Sequence, residues 1–167
     1  MEPLVDCIIE DDRWEAFGLE SLSDAAVRAA LRHLGLPEEG FTLCLMGCDD
    51  ARIAVLNADF RGKAKATNVL SWPSDNRAPD VPGSDPAPPE AGPADMPEEL
   101  GDIAIAFETC MQEAKDGGIS PRDHVTHLVV HGFLHLLGYD HENDADAAIM
   151  ERHEICILET LGVDDPY

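Results

Sequence analysis

Positive charge is scarce in this chain: 11 lysines and arginines stand against 34 aspartates and glutamates, a net charge of −23 over 167 residues. Such a balance repels nucleic acid at long range and excludes a broad basic surface that tracks phosphates. Any contact with RNA must then come from a local site or be delivered by a partner. Long apolar runs are missing too, and none approaches the roughly 20 residues needed to span a membrane. The opening residues Met1-Glu2-Pro3-Leu4-Val5-Asp6 lack the basic stretch of a secretory signal, so the protein is expected to be cytoplasmic. Cysteines are few and odd in number: Cys7, Cys44, Cys48, Cys110 and Cys156 lie scattered among apolar residues. That pattern excludes a disulfide framework and points to reduced, buried thiols. Cys44 and Cys48 have no second pair to complete a metal site, so they are read as core.

What the chain does have is histidine at a telling spacing. His131, His135 and His141 fall within eleven residues, in the run His131-Gly132-Phe133-Leu134-His135-Leu136-Leu137-Gly138-Tyr139-Asp140-His141. On a helix, residues four apart project from one face, so His131 and His135 meet. Gly138 can adopt the left-handed conformation that ends a helix, letting the chain turn back and bring His141 to the same point. Three neutral imidazoles leave a tetrahedral zinc ion one open position for water, the mark of a catalytic rather than a structural site. The spacing is that of metzincin zinc peptidases, which carry a general-base glutamate directly after the first histidine. Here that position is Gly132, which cannot take a proton.

Mixed strand and helix signals predict one α+β domain over residues 1–167. It would have a roughly four-stranded mixed sheet, about five helices packed on it, and the metal site at the end of a central helix. Strands are expected over residues 4–10, 41–46, 67–72 and 102–107. A helix should start at a capping box formed by Ser21 and Asp24 and stop at Gly35. A second, capped by Asp49 or Asp50, should end at Gly62, and a third should cover residues 107–116. Ser120-Pro121-Arg122-Asp123 is a strong start signal for the helix that carries the first two histidines. A last helix covers residues 144–161. Residues 74–97 hold seven of the 12 prolines and several acids, and predict an exposed, poorly ordered insertion.

Four segments in order resemble the YbeY family of bacterial metal-dependent endoribonucleases and ribosomal RNA maturation factors. They are Leu56 to Lys63, Thr67-Asn68-Val69-Leu70-Ser71-Trp72-Pro73, Gly101-Asp102-Ile103, and His131 through His141, with Met150-Glu151 and Glu154 fitting as well. The resemblance implies a zinc-dependent single-strand endoribonuclease acting in ribosomal RNA processing, with one ion on His131, His135 and His141. It also implies an essential Arg61. A guanidinium can hold two phosphate oxygens at once as charge builds on them, whereas as a plain helix-end cation it would contribute about 0.3–1 kcal/mol. Lys63 and Lys65 would steer the strand. His127 and Asp140 are candidate supports for the ligands, outside the catalytic set. The partners implied are single-stranded or ribosomal RNA, and a basic ribosomal protein or subunit that an acidic chain could dock onto. Two rivals remain: a zinc peptidase, and a non-catalytic assembly factor with a structural metal.

Overall fold

The computed structural model describes residues 3–167. Four strands form one sheet: β1 (Val5–Ile9), β2 (Phe41–Cys48), β3 (Val69–Pro73) and β4 (Glu98–Ala106). Their order is β1-β2-β4-β3, with β1, β2 and β4 mutually parallel and β3 antiparallel on the edge beside β4. Alternation along the strands divides the apolar residues between the two faces. Leu43, Leu45, Ile103 and Ile105 feed the main core, while Cys48, Leu70, Ala104 and Ala106 feed a smaller one on the other side.

Six helices cover the sheet. The short α1 (Arg13–Phe17) and then α2 (Leu19–His33) join β1 to β2; α3 (Asp50–Arg61) follows β2; and α4 (Phe107–Gly117), α5 (Pro121–Leu136) and α6 (Asp144–Thr160) complete the chain. The four-stranded mixed sheet and the α+β class match the sequence reading, with one helix more than expected. That extra helix is α1, whose five residues are too few to show a period. It exists because Trp14 is fully buried and its indole N–H donates to the Cys48 carbonyl at 2.9 Å. The expected cap at Ser21 is displaced as well. Gly18, at φ 88, ends α1 and starts α2 together, and the Ser21 hydroxyl merely donates back to the Gly18 carbonyl. Strand β4 starts at Glu98, earlier than expected, because its acidic first residues pair with Phe41 and Thr42 at the solvent edge.

Helix α5 is the centre of the fold. Ser120 caps it by accepting from the Asp123 N–H at 3.1 Å, with Pro121 in its first turn. It packs on β3, β4, α2, α4 and α6, and at Gly132 it comes close to the sheet. A Cβ there would sit 3.2 Å from Ser71 Oγ and 3.3 Å from Ile103 Cγ2. Residues 74–97 contain no strand or helix before the last turns into β4, yet they lie against the body. Arg77 donates to the carbonyls of Leu100 and Leu136, Gly92 N–H donates to the Gly40 carbonyl, and Pro86 is buried. The rest of the segment is mostly exposed, and these few polar anchors are what tie it to the body. Among the described residues no helix is long and apolar enough to cross a membrane.

Candidate metal centre

The last turn of α5 and the reversal after it bring three imidazoles together. His131 and His135 share a face, and Gly138, at φ 103, turns the chain so that Tyr139 N–H donates to the Leu134 carbonyl. Gly138 has a second reason to lack a side chain: a Cβ would lie 2.3 Å from the Arg77 carbonyl oxygen. His141 then stacks on His131 with ring centroids 5.3 Å apart, and His135 stands 4.5 Å from His131 and 5.1 Å from His141. One ring nitrogen from each lies within 4.8 Å of the others, so the trio could hold a metal ion.

Hydrogen bonds on the far side of the rings decide which nitrogens face inward. His135 Nδ1 lies 2.9 Å from the Tyr139 carbonyl, which can only accept, so the proton sits on Nδ1 and Nε2 carries a lone pair. His131 Nδ1 lies 2.7 Å from Glu154 Oε1 and donates to it in the same way. The two Nε2 atoms are 3.0 Å apart. Two lone pairs at that distance repel unless a positive charge lies between them, which a proton on one ring or a divalent cation would supply. The donor set therefore fits a metal. Burial, with the neighbouring His131 and His141 adding to it, pushes His135 down to about 4, so this ring is an unprotonated ligand at neutral pH.

Glu154 is the residue that the site reading missed. It lies on α6, is 0% exposed, and receives His131, His127 (Nε2 to Oε1, 3.3 Å) and the Tyr167 hydroxyl (2.5 Å to Oε2). Burial alone would raise its carboxyl; the bonds from His127 and His131, and that from Tyr167, outweigh it and hold the group at about 2. A sequence signal existed: Glu154 sits four residues from both Met150 and Leu158, in the middle of a core-facing stripe. His127 is thus a neighbour of Glu154. Asp140 accepts from the His141 backbone N–H at 2.8 Å, so it fixes the turn and not a ring.

The centre opens into a cleft of about 880 Å³ that Arg61, Asn68, His124, His127 and Tyr167 also line. Arg61 is the last residue of α3, exposed, with Gly62 at φ 70 closing the helix behind it. No ion pair engages it among the described residues. Arg61 borders the same cavity as the histidines, while Lys63 and Lys65 lie outside the cleft lining.

This arrangement can be set beside known proteins. A family model described as Endoribonuclease YbeY matches residues 6–162. An Endoribonuclease YbeY of Cereibacter sphaeroides is 60% identical over 167 residues, with 100% of both chains covered. One of Dinoroseobacter shibae is 54% identical over 163 residues, covering 98% of this chain and 90% of the relative. A Thermotoga maritima protein solved in solution shares the fold with a TM-score of 0.60 at 22% identity, over 93% of this chain and 87% of that one. Matched by the family model over nearly its whole length, and by relatives over theirs, the chain belongs to the Endoribonuclease YbeY family.

Proposed function

We propose that this protein is a zinc-dependent endoribonuclease that cuts single-stranded RNA in ribosomal RNA processing and ribosome maturation in the cytoplasm. The observation that carries the metal-dependent reading is the convergence of three imidazoles, two of them with Nε2 atoms 3.0 Å apart, on one point that opens on the cleft. The relatives' shared name, Endoribonuclease YbeY, supplies the substrate class.

His131, His135 and His141 would hold one zinc ion. When bound, it supplies Lewis-acid polarisation of a phosphate oxygen and a water acidified toward neutral pH. The chain's own residues do the rest. Arg61, with its donors uncommitted, holds phosphate oxygens that gain charge during cleavage. The Tyr139 carbonyl and Glu154 keep the ring protons of His135 and His131 pointing away from the reacting phosphate. The cleft brings the strand between these two sets.

Gly132 removes the support for a peptidase. It carries no base, and its missing Cβ would point at Ser71 and Ile103, so a glutamate at this position would meet the sheet. The acidity of the chain supports recruitment to RNA by a basic ribosomal protein or subunit. Binding to naked RNA as tight as to ribosomal particles would count against that recruitment.

The test is cleavage of a single-stranded RNA by highly purified protein before and after chelation, with zinc content measured. Cleavage lost on chelation and restored by zinc sustains the proposal. Zinc bound stoichiometrically without cleavage, alongside a ribosome-assembly defect that a His131→Ala variant still rescues, would leave a non-catalytic assembly factor.

A further inference from the structure

We infer that Glu154 is the positioning residue of this centre: it selects which nitrogen of His131 is offered to the metal, and His127 and Tyr167 hold its carboxylate in place. The inference rests on the metal reading above and adds a residue from a different helix to it.

A carboxylate buried in an apolar stripe is costly unless its lone pairs are filled. Around Glu154 two donors fill them, His131 Nδ1 at 2.7 Å on Oε1 and the Tyr167 hydroxyl on Oε2, with His127 Nε2 3.3 Å from Oε1. Tyr167 also packs edge-on against His127, with centroids 5.6 Å apart, which closes the carboxylate off from the cleft. Each contact has a consequence for the next. Because Tyr167 occupies Oε2 and His127 approaches from one side, Oε1 is left facing His131. Because Oε1 accepts only from a proton-bearing nitrogen, His131 must carry its proton on Nδ1. Nε2 then faces His135 and His141 as a lone pair. A buried negative charge one ring away also makes that lone pair a stronger ligand and offsets part of the cation's charge.

His127, His131 and Glu154 themselves form a second group whose donor atoms converge. It is better described as hydrogen-bonded than as a metal cage. Its short contacts all run from an N–H or O–H to a carboxylate oxygen, and Tyr167 occupies the remaining one. The other trio pairs nitrogen with nitrogen and opens on the cleft.

The experiment uses the full chain and zinc alone, with affinity read by competition against a chromophoric chelator. The variants are wild type, Glu154→Gln and His141→Ala. Glu154→Gln keeps the shape but puts an amide N–H₂ among donors and removes the charge. It should weaken zinc binding by about 10–100-fold, the usual cost of losing such a support. His141→Ala should weaken it at least as much. A Glu154→Gln affinity equal to wild type overturns the inference while leaving the metal reading intact. Loss of zinc in Glu154→Gln but not in His141→Ala overturns it differently, by making Glu154 itself a ligand. A wild type that binds no zinc overturns the metal reading, and with it this one. A measurement without any variant closes the remaining gap if Glu154→Gln fails to fold. Long-range proton–nitrogen correlation spectra of zinc-loaded wild type should show His131 protonated on Nδ1 with a protected ring proton; a proton on Nε2 overturns the inference.

Discussion

Across the cleft, two of the three histidines on one wall have their outward ring nitrogens engaged, whereas on the other wall the Arg61 side chain makes no ion pair among the described residues. His131 and His135 stand on α5, which is buried against the sheet and three helices in the main core, and each has its outward nitrogen engaged. Arg61 ends α3, which rests on the smaller core through Ile53 and the half-buried Leu56, and leaves Val55 and Phe60 about half exposed. Even Asn57, buried in that helix, has an Oδ1 without a partner among the described residues. Metal ligands must be placed to within a fraction of an ångström, because a tetrahedral ion tolerates little error. A cation that grips a flexible phosphodiester works differently: it needs reach and free donors more than fixity. Under the proposed function, the two walls suit those two tasks.

Breaking the histidine wall should have the largest effect. His135→Ala is expected to lose the ion and RNA cleavage together, seen as zinc content and activity falling in parallel in the purified variant. Arg61→Ala comes next and separates the walls: zinc content stays at the wild-type level while the cleavage rate falls about 10²–10³-fold, the scale of one lost charge-stabilising donor. If Arg61→Ala sheds zinc as well, the walls are not independent. The supporting cores should differ by a smaller margin. Leu134→Ala, between the two histidines on α5, is expected to cost about 2–5 kcal/mol in denaturant unfolding, and Ile53→Ala in α3, over the smaller core, the lower part of that range. The smallest effect concerns the proline-rich segment. His153 donates to Asp85 at 2.8 Å, and this bond, with help from Tyr139, holds the Asp85 carboxyl below its ordinary 3.8. A carboxyl lowered on folding stabilises the fold above its unfolded value, and that contribution fades as pH falls through the folded one. Asp85→Asn should therefore cost well under about 1 kcal/mol near neutral pH, as exposed pairs do, and nothing in strong acid. Melting temperatures of both proteins across that range would show the two curves converge.

The histidine wall was legible in the sequence and the arginine wall was less so. His131, His135, Gly138 and His141 are close in the chain, and helical periodicity plus one turn-forming glycine is enough to bring the rings together. The Ser120-Pro121 start of α5 was readable for the same reason, since caps are local. Arg61 reaches the cleft only because α3 and β3 lie where the sheet order places them, and no spacing rule encodes that. Its role was inferred from resemblance. Glu154 fell between: its place on the core face of α6 was visible, but not its partners, which come from α5 and from Tyr167. The same division runs through the fold. Strands β1 and β2 show their apolar residues, while β4 begins on Glu98 and Glu99, whose pairing with β2 is a long-range fact. Helix α1 is stabilised by one buried indole and has no period to read.

Gly132 has a consequence for what this scaffold could become. Its histidine spacing is shared with peptidases, so a single glycine-to-glutamate change looks like a short mutational path between two chemistries. The sheet narrows that path: a Cβ there would lie 3.2 Å from Ser71 Oγ and 3.3 Å from Ile103 Cγ2, so those side chains would have to give by a few tenths of an ångström. A lineage starting here would have to make room for a glutamate inside the seam between α5 and the sheet, where Ser71 and Ile103 already pack. Two chemistries that differ by one letter in the sequence pattern differ in three dimensions by how tightly a helix sits on its sheet.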